Sequence, residues 1–426
     1  MSTAVLIGTL DTKGREYDFA RSVLRAAGAE VILMDVGILG DPGIIPDITA
    51  AEVAAAAGGE LDALRTGTES DEARSAALEL MTRGAIEIVD RLMSQGRCDG
   101  ILGFGGSGGS ALLSGVMRHL PFGLPKLLVS TMASGDVSSY VGSSDLCIMH
   151  SVTDIAGLNR ISRPILSNAA GALAGMMSVT HETTDLVRPA VGITMLGVTT
   201  PGVLQVVARL EETGYDPVVF HAVGSGGRAM ESLLDGGVLA GVIDYTIKEV
   251  TDDLHGGIFV AGPRRMRAAG DSGLPQLVVP GAVEVINFGP WDTVPADLRD
   301  GARPIIRHND QVTAVRATRD ELRDVADEVA DRLNSARGPV EVVIPSGGFD
   351  SYAAHDGPFA APEDDADFAD RLASGLREGI PVTRSPLDAN DPAFADLVAD
   401  RFLALMEHDH DHDANETPAE SEAQRS

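Results

Sequence analysis

Gly105-Gly106-Ser107-Gly108-Gly109-Ser110 closes a short apolar run, Gly100-Ile101-Leu102-Gly103-Phe104, and Ala111-Leu112-Leu113 opens a helical pattern directly after it. A strand that runs through glycines into a helix start is suited to holding an anion. Without side chains the backbone can be approached closely, and the first helical turn presents unpaired N–H groups at the positive end of the helix dipole. The spacing is neither the dinucleotide fingerprint nor the P-loop with its terminal Lys, so the reading is a phosphate-binding turn, with a plain strand-to-helix turn as its alternative. A second set lies at Leu10-Asp11-Thr12-Lys13-Gly14. There Lys13 offers a cation for phosphates and Asp11 an acid for Mg²⁺ or a ribose hydroxyl, helix capping by Asp11 or Thr12 being the competing role. Ser130-Thr131-Met132-Ala133-Ser134-Gly135 adds donors, with Thr131, Ser134 and Gly135 as further candidates.

These groups meet only if parallel strands carry them to one edge of a sheet, where ligands of open α/β folds bind. The apolar patterning predicts that. Residues 3–9 form a strand, Phe19, Ala20, Val23, Leu24 and Ala27 recur at helical spacing, Gly28 stops the helix, and residues 30–35 form the next strand. Further strands are expected at 99–104, 126–131 and 146–150, with helices at 71–95 and 163–180, and Thr49 to Glu52 has the spacing of a capping box.

The phrase then returns. Ala190 to Gly197 reads as a strand, Val206, Val207 and Leu210 as a helix face, and Gly214 as its stop; Ala4 maps to Ala190 and Gly28 to Gly214 at one offset, 186. Pro125 to Val129 is echoed by Pro275 to Val279. The expected class is therefore α/β, two Rossmann-like parallel-sheet domains related by an internal repeat. The N-terminal domain covers 1–188, the C-terminal domain 189–406, and an acidic disordered tail 407–426; one continuous sheet is the alternative. In the second half strands are expected at 190–196, 217–222, 239–244, 258–261, 276–280, 340–344 and 381–384, and helices at 202–213, 228–235, 318–336, 365–378 and 392–407.

That half carries its own polar strand-end groups. They are Gly224-Ser225-Gly226-Gly227-Arg228, Asp244 with Lys248 and Glu249, Arg264-Arg265, and Ser346-Gly347-Gly348-Phe349-Asp350. Asp244, Glu249 and Asp350 read as candidate acids or metal ligands, and Lys248, Arg264 and Arg265 as anion clamps. His308 and His355 fall in expected loops, and the tail alternates His408, His410 and His412 with Asp. No spacing of metal-binding or nucleophilic residues assigns a mechanism, so the catalytic residues and any metal ligands stay open.

With 63 acidic against 33 basic residues the net charge is −30, and only Lys13, Lys126 and Lys248 are lysines. Such a chain is a poor partner for nucleic acid, whose binding rests on basic patches. The apolar runs are strand-length and the first residues lack a basic leader, so a cytoplasmic protein without a membrane span is expected. Cys98 and Cys147 read as small core residues.

Several motifs together resemble the Tm-one-like ATP-binding domain family of bacterial, archaeal and plant proteins. They are Gly8 to Glu16, Gly103 to Gly109, Ser130 to Gly135, Gly157 to Ser162, Asn287-Phe288-Gly289, Arg307-His308-Asn309 and Gly357-Pro358-Phe359, and they span about residues 3–405. The resemblance implies ATP as cofactor and self-association as a homo-oligomer, and it supplies no reaction. Together the residues and the resemblance predict ATP, with Mg²⁺ as its companion, at Gly105–Ser110 and Asp11–Lys13, and a second ligand at the second domain's strand ends or between the domains. An ATP-dependent transfer or ligation on a small anionic metabolite is the enzymatic form of that expectation. A nucleotide-responsive regulatory protein without turnover is the second form, and an NAD-dependent oxidoreductase the third. Against the third, positions 129 and 130, where an acidic residue would follow the glycine turn, hold Val and Ser.

Overall fold

Buried strands alternating with amphipathic helices divide the chain into two units, Met1–Thr183 and Thr184–Ser426. The computed structural model describes residues 2–66, 70–179, 188–299, 301 and 303–415, with side chains through Glu407. The His408–His412 tract therefore lies outside the described side chains.

Unit 1 runs β1 (Thr3–Gly8), α1 (Leu10–Ala26), β2 (Glu30–Asp35), α2 (Ala50–Ala56), α3 (Leu61–Thr66), α4 (Asp71–Ser94), β3 (Gly100–Gly105), α5 (Ser107–His119), β4 (Lys126–Ser130), α6 (Ser138–Val141), β5 (Cys147–His150) and α7 (Ser162–Ser178). Its five strands are all parallel, in the order β2-β1-β3-β4-β5. Strands buried on both faces read as unbroken apolar runs, as the inner strands β1 and β3 do. Alternate residues feed different layers. Ala4 and Leu6 pack toward Tyr17, Leu24 and Leu166, while Val5 and Ile7 pack toward Val53, Met81 and Val116. Thr49 and Glu52 form the expected capping box at the start of α2. Cys98 is buried, which pushes its thiol up to about 12, whereas Cys147 is exposed on the edge strand β5, contrary to its expected core position.

Strand order reverses between β1 and β3, the switch point where open sheets leave a crevice. Their pairing ends at Ile7 and Gly103. Beyond it the Tyr17 hydroxyl fills the gap, donating to the Ile7 carbonyl at 2.6 Å and accepting from the Phe104 N–H at 2.7 Å. Gly8 makes room for the ring, since a Cβ there would lie 1.9 Å from Tyr17 Cζ. Tyr17→Phe strands two buried backbone groups and is expected to destabilise unit 1 by about 1–3 kcal/mol. Amide exchange at Ile7 and Phe104 checks this, and protection equal to wild type would refute it.

Unit 2 runs β6 (Ala190–Met195), α8 (Thr200–Glu212), β7 (Asp216–His221), α9 (Ser225–Asp235), β8 (Gly241–Thr246), α10 (Lys248–His255), α11 (Ala268–Ser272), β9 (Gln276–Gly281), β10 (Val285–Phe288), β11 (Ile305–Asn309), β12 (Val312–Arg316), α12 (Arg319–Asn334), β13 (Val340–Pro345), α13 (Pro362–Gly375), β14 (Val382–Ser385) and α14 (Pro392–Asn415). Its parallel sheet has the order β14-β13-β9-β8-β6-β7. Counted from its own first strand, that is the order of unit 1 with one strand added at the far edge. The repeat holds in detail: Gly28 (φ 90°) and Gly214 (φ 93°) end corresponding helices in the left-handed conformation that favours glycine.

The structure departs from expectation in several places. Residues 258–261 form no strand, and a three-stranded antiparallel sheet, β10-β12-β11, interrupts the parallel series. Its strands are four or five residues long, too short for a periodicity to separate them from loop. His308 thus lies on β11 rather than in a loop. α14 also continues past residue 407, where the tail was expected to begin. No helix among the described residues is long and apolar enough to cross a membrane.

Candidate functional site

The two glycine- and hydroxyl-bearing turns of unit 1 follow β1 and β3, the strands that flank its switch point. Gly106 is the N-cap of α5, and no side chain caps that helix. What a side chain would meet there separates structural glycines from the others. At Gly105 a Cβ would sit 2.5 Å from the Ser110 nitrogen, so the fold itself demands glycine. At Gly106, Gly108 and Gly109 the nearest atoms are 3.9, 3.8 and 3.9 Å away, and none of the three has a positive φ. Glycine in a helix costs up to about 1 kcal/mol relative to alanine. Neither sterics nor dihedrals therefore require glycine at these three positions at the start of α5.

Lys13 stands at the other turn, where α1 departs from helical geometry (φ −126°, ψ 20°). The other two lysines are buried and paired, Lys126 with Asp145 at 2.5 Å and Lys248 with Asp252 at 2.6 Å. Lys13 is half-buried and has no carboxylate partner among the described residues. Among the described residues it is thus the lysine without an ion-pair partner.

Other expected site residues have structural partners. Asp11 accepts from the Leu39 N–H at 2.8 Å and packs against Gly37, with its second oxygen buried and unbonded. It orders the loop after β2. Asp35 accepts from the N–H groups of Leu10 and Gly37 at 3.0 and 2.9 Å and so ties down the start of α1. Burial raises its carboxyl above the usual range, with those two bonds pulling it back. The Ser110 hydroxyl is fully buried 2.7 Å from that of Ser130 and pins the turn from inside. Thr12 is exposed, its hydroxyl 2.9 Å from that of Thr9. The Thr131 N–H donates to the Gly105 carbonyl at 3.2 Å, which seats the half-buried Thr131 beside Gly106. Ser134 and Gly135 are exposed in the same turn, and Ser107 is exposed at the first position of α5. A hollow of about 510 Å³ in unit 1 lies instead at the amino ends of β1 and β2, around Thr3, Glu30, Ile48 and Arg97, and one of about 520 Å³ lies between α2 and α4, around Glu52, Ala55, Ile88 and Arg91.

In unit 2 the clamps expected from sequence are consumed internally. The turn Gly224–Gly227 follows the second strand of its sheet, not the third, and an anion of the protein's own occupies it: Glu249 Oε1 accepts from the N–H groups of Gly224 and Gly227 at 2.6 and 3.3 Å. Each glycine there is structural. Gly224 has φ 83°, a Cβ at Gly226 would lie 2.0 Å from the His221 carbonyl oxygen, and one at Gly227 would lie 2.4 Å from Glu249. Arg265 is fully buried and ion-paired with Asp244, Glu249 and Glu231 at 2.5, 2.6 and 3.3 Å. Arg264 pairs at the surface with Asp235 and Asp271. Neither arginine nor Lys248 remains free to clamp a ligand. The Glu249 bonds span 25 residues to Gly224 and 22 to Gly227, so no local spacing foretold them.

Burial pushes the Glu231 carboxyl up to about 7, against the pull of Arg265. A carboxyl raised on folding stabilises fully below its unfolded value, 4.5, and that contribution is lost as pH rises through about 7. Between pH 5 and 8 the wild type should therefore lose about 2 kcal/mol more stability than Glu231→Gln. Urea denaturation at both pH values checks this, and parallel losses would contradict it.

Residues 2–182 match the N-terminal domain and residues 188–406 the C-terminal domain of the uncharacterised protein family UPF0261. A UPF0261 protein of Clostridium tetani is 39% identical over 404 residues, covering 95% of this chain and 98% of that protein. One of Mesorhizobium japonicum is 41% identical over 412 residues, covering 96% and 100%. The ToMV resistance protein Tm-1(GCR237) of Solanum lycopersicum is 38% identical over 340 residues, which are 78% of this chain and 45% of the tomato protein.

Proposed function

Given that the chain belongs to the UPF0261 family, we propose that unit 1 binds a nucleoside polyphosphate, ATP in the first instance, at the β1–β3 switch point. The observation that carries this reading is the glycine-rich start of α5, where the fold does not demand glycine. Gly106, Gly108 and Gly109 are not required by the fold, whereas Gly224, Gly226 and Gly227 of the second unit all are. A phosphate seated on α5 would take the bare first-turn N–H groups and the positive end of the helix dipole. Lys13 supplies the charge-assisted bond, and Thr131 adds a hydroxyl beside Gly106. Asp11 has one oxygen bonded and the other buried. Mg²⁺ accordingly enters with the nucleotide, held by its phosphates rather than by a protein carboxylate.

Isothermal titration of the full chain with ATP and Mg²⁺ tests the assignment. Saturable heat together with a raised melting temperature is the expected result; neither response at millimolar nucleotide would reject the site. Turnover on a small anionic metabolite is the enzymatic extension of the same reading. Release of ADP or AMP above a Lys13→Ala control supports it, and equal release contradicts it.

A further inference from the structure

Glu284, on the turn between β9 and β10, and Asp350, in the segment after β13, are two fully buried carboxyls. The Ala282 N–H donates to the Phe349 carbonyl at 3.3 Å, and the two acids that follow lie within hydrogen-bonding distance of each other. Asp350 Oδ1 accepts from the N–H groups of Tyr352 and Ala353 at 2.7 and 2.9 Å. No N–H or hydroxyl of the described residues bonds Asp350 Oδ2 or either oxygen of Glu284. Arg316 of β12 is the cation that faces them, and it gives its NH1 to the Phe359 carbonyl and its NH2 to Asp365 at 2.6 Å. Other charges on the packed elements are likewise committed, Lys248 of α10 to Asp252 and Glu321 of α12 to Arg303. Two ionised carboxylates repel and offer no donor, so they cannot lie hydrogen-bonded in a water-free interior. The described residues place no group of three or more His, Cys, Asp and Glu to hold a metal ion there. A proton is what can join the two acids.

We propose that Glu284 is a neutral acid whose O–H donates to the Asp350 carboxylate, and that this one proton latches the β9–β10 turn to the segment after β13. Such a bond is charge-assisted and forms where no water competes. Its direction follows from the neighbours. The amides of Tyr352 and Ala353 favour the charge on Asp350, whereas Glu284 has no donor to favour its own. Burial, and then Asp350 beside it, push the Glu284 carboxyl well above the usual carboxylate range. Val285 and Ser351, the residues next to the two acids, line a cavity of about 510 Å³ at the carboxyl ends of β6 and β7. The proton therefore holds two walls of that cavity together, and its loss at alkaline pH sets two like charges between them. A carboxyl raised on folding stabilises in full below its unfolded value, 4.5, and that contribution is lost as pH rises through the folded value. The inference is independent of the phosphate reading of unit 1.

Infrared difference spectroscopy on the full chain, wild type minus Glu284→Gln at pH 8, tests the proton directly. A protonated-carboxyl C=O band is expected, and a carboxylate band in its place would overturn the proposal. The glutamine amide can donate to Asp350 as the acid does, so the variant should fold and lose only the titration. While Glu284 is protonated in the fold and ionised in the unfolded chain, the wild-type unfolding constant should rise about tenfold per pH unit relative to the variant. Urea denaturation between pH 6 and 8 reads this, and constants that run parallel would refute it. The methyl resonances of Val285 and Ala353 report on the latch itself. In an alkaline titration they should shift in wild type as its carboxyl band fades, and stay put in Glu284→Gln. Equal shifts in both proteins, or a wild-type band that fades with no shift, would show that the proton latches nothing.

Discussion

Arg265→Leu is expected to cost unit 2 about 3–5 kcal/mol near neutral pH. The guanidinium is 1% exposed and bonds three carboxylates, while its NH2 donates to the Thr246 carbonyl at 3.2 Å. Removing it leaves Asp244, Glu249 and Glu231 buried and facing one another without a counter-charge. Their other partners, Gln276 on Asp244 and the amides of Gly224 and Gly227 on Glu249, hold them in place, so they cannot swing out to water. Arg265→Lys is no remedy, because one ammonium cannot reproduce the fork that reaches three acids. Trp291, the chain's single tryptophan, lies in unit 2, so its fluorescence follows that unit's unfolding in urea. Acid should narrow the deficit, since protonation discharges the stranded carboxylates. A variant as stable as wild type at pH 8 would show that the cluster is not held by its arginine.

The second large effect separates binding from folding. Lys13→Ala removes the lysine that has no carboxylate partner among the described residues, and a hydrogen bond to a charged group is worth about 1.5–3 kcal/mol. ATP affinity should then fall about ten- to a hundredfold. Gly108→Ala places a methyl group over the helix start, where Leu78 Cδ1 at 3.8 Å is its nearest neighbour. Its melting temperature should stay level or rise, as alanine is the better helix residue, while nucleotide affinity drops. Gly105→Ala, by contrast, collides with the Ser110 backbone and should lower stability whether or not ligand is present. Calorimetry paired with titration on the three variants decides the matter. If Gly108→Ala binds ATP as wild type does, the α5 face is not where the phosphates sit.

Much of the first unit was legible because its signals are local. Apolar runs of strand length, a stop at Gly28 and the capping box at Thr49–Glu52 each depend on residues a few positions apart. The repeat at offset 186 is likewise a property of the string. The glycines of α5 and Lys13 stood out by type and spacing, and the strand order β2-β1-β3 brings their two turns to one switch point.

What sequence alone determined is the class of fold, the doubling of the unit and a short roster of polar strand-end groups. Which of those groups remain available was decided by tertiary structure alone. Glu249 satisfies the glycine turn of unit 2, Arg265 vanishes among three acids, and Ser110 turns inward. The physical reason is that a charge or donor is spent only when a partner, often tens of residues away in the chain, is brought within about 3 Å of it. Spacing along the chain records periodicity and propensity, and carries no record of that distance.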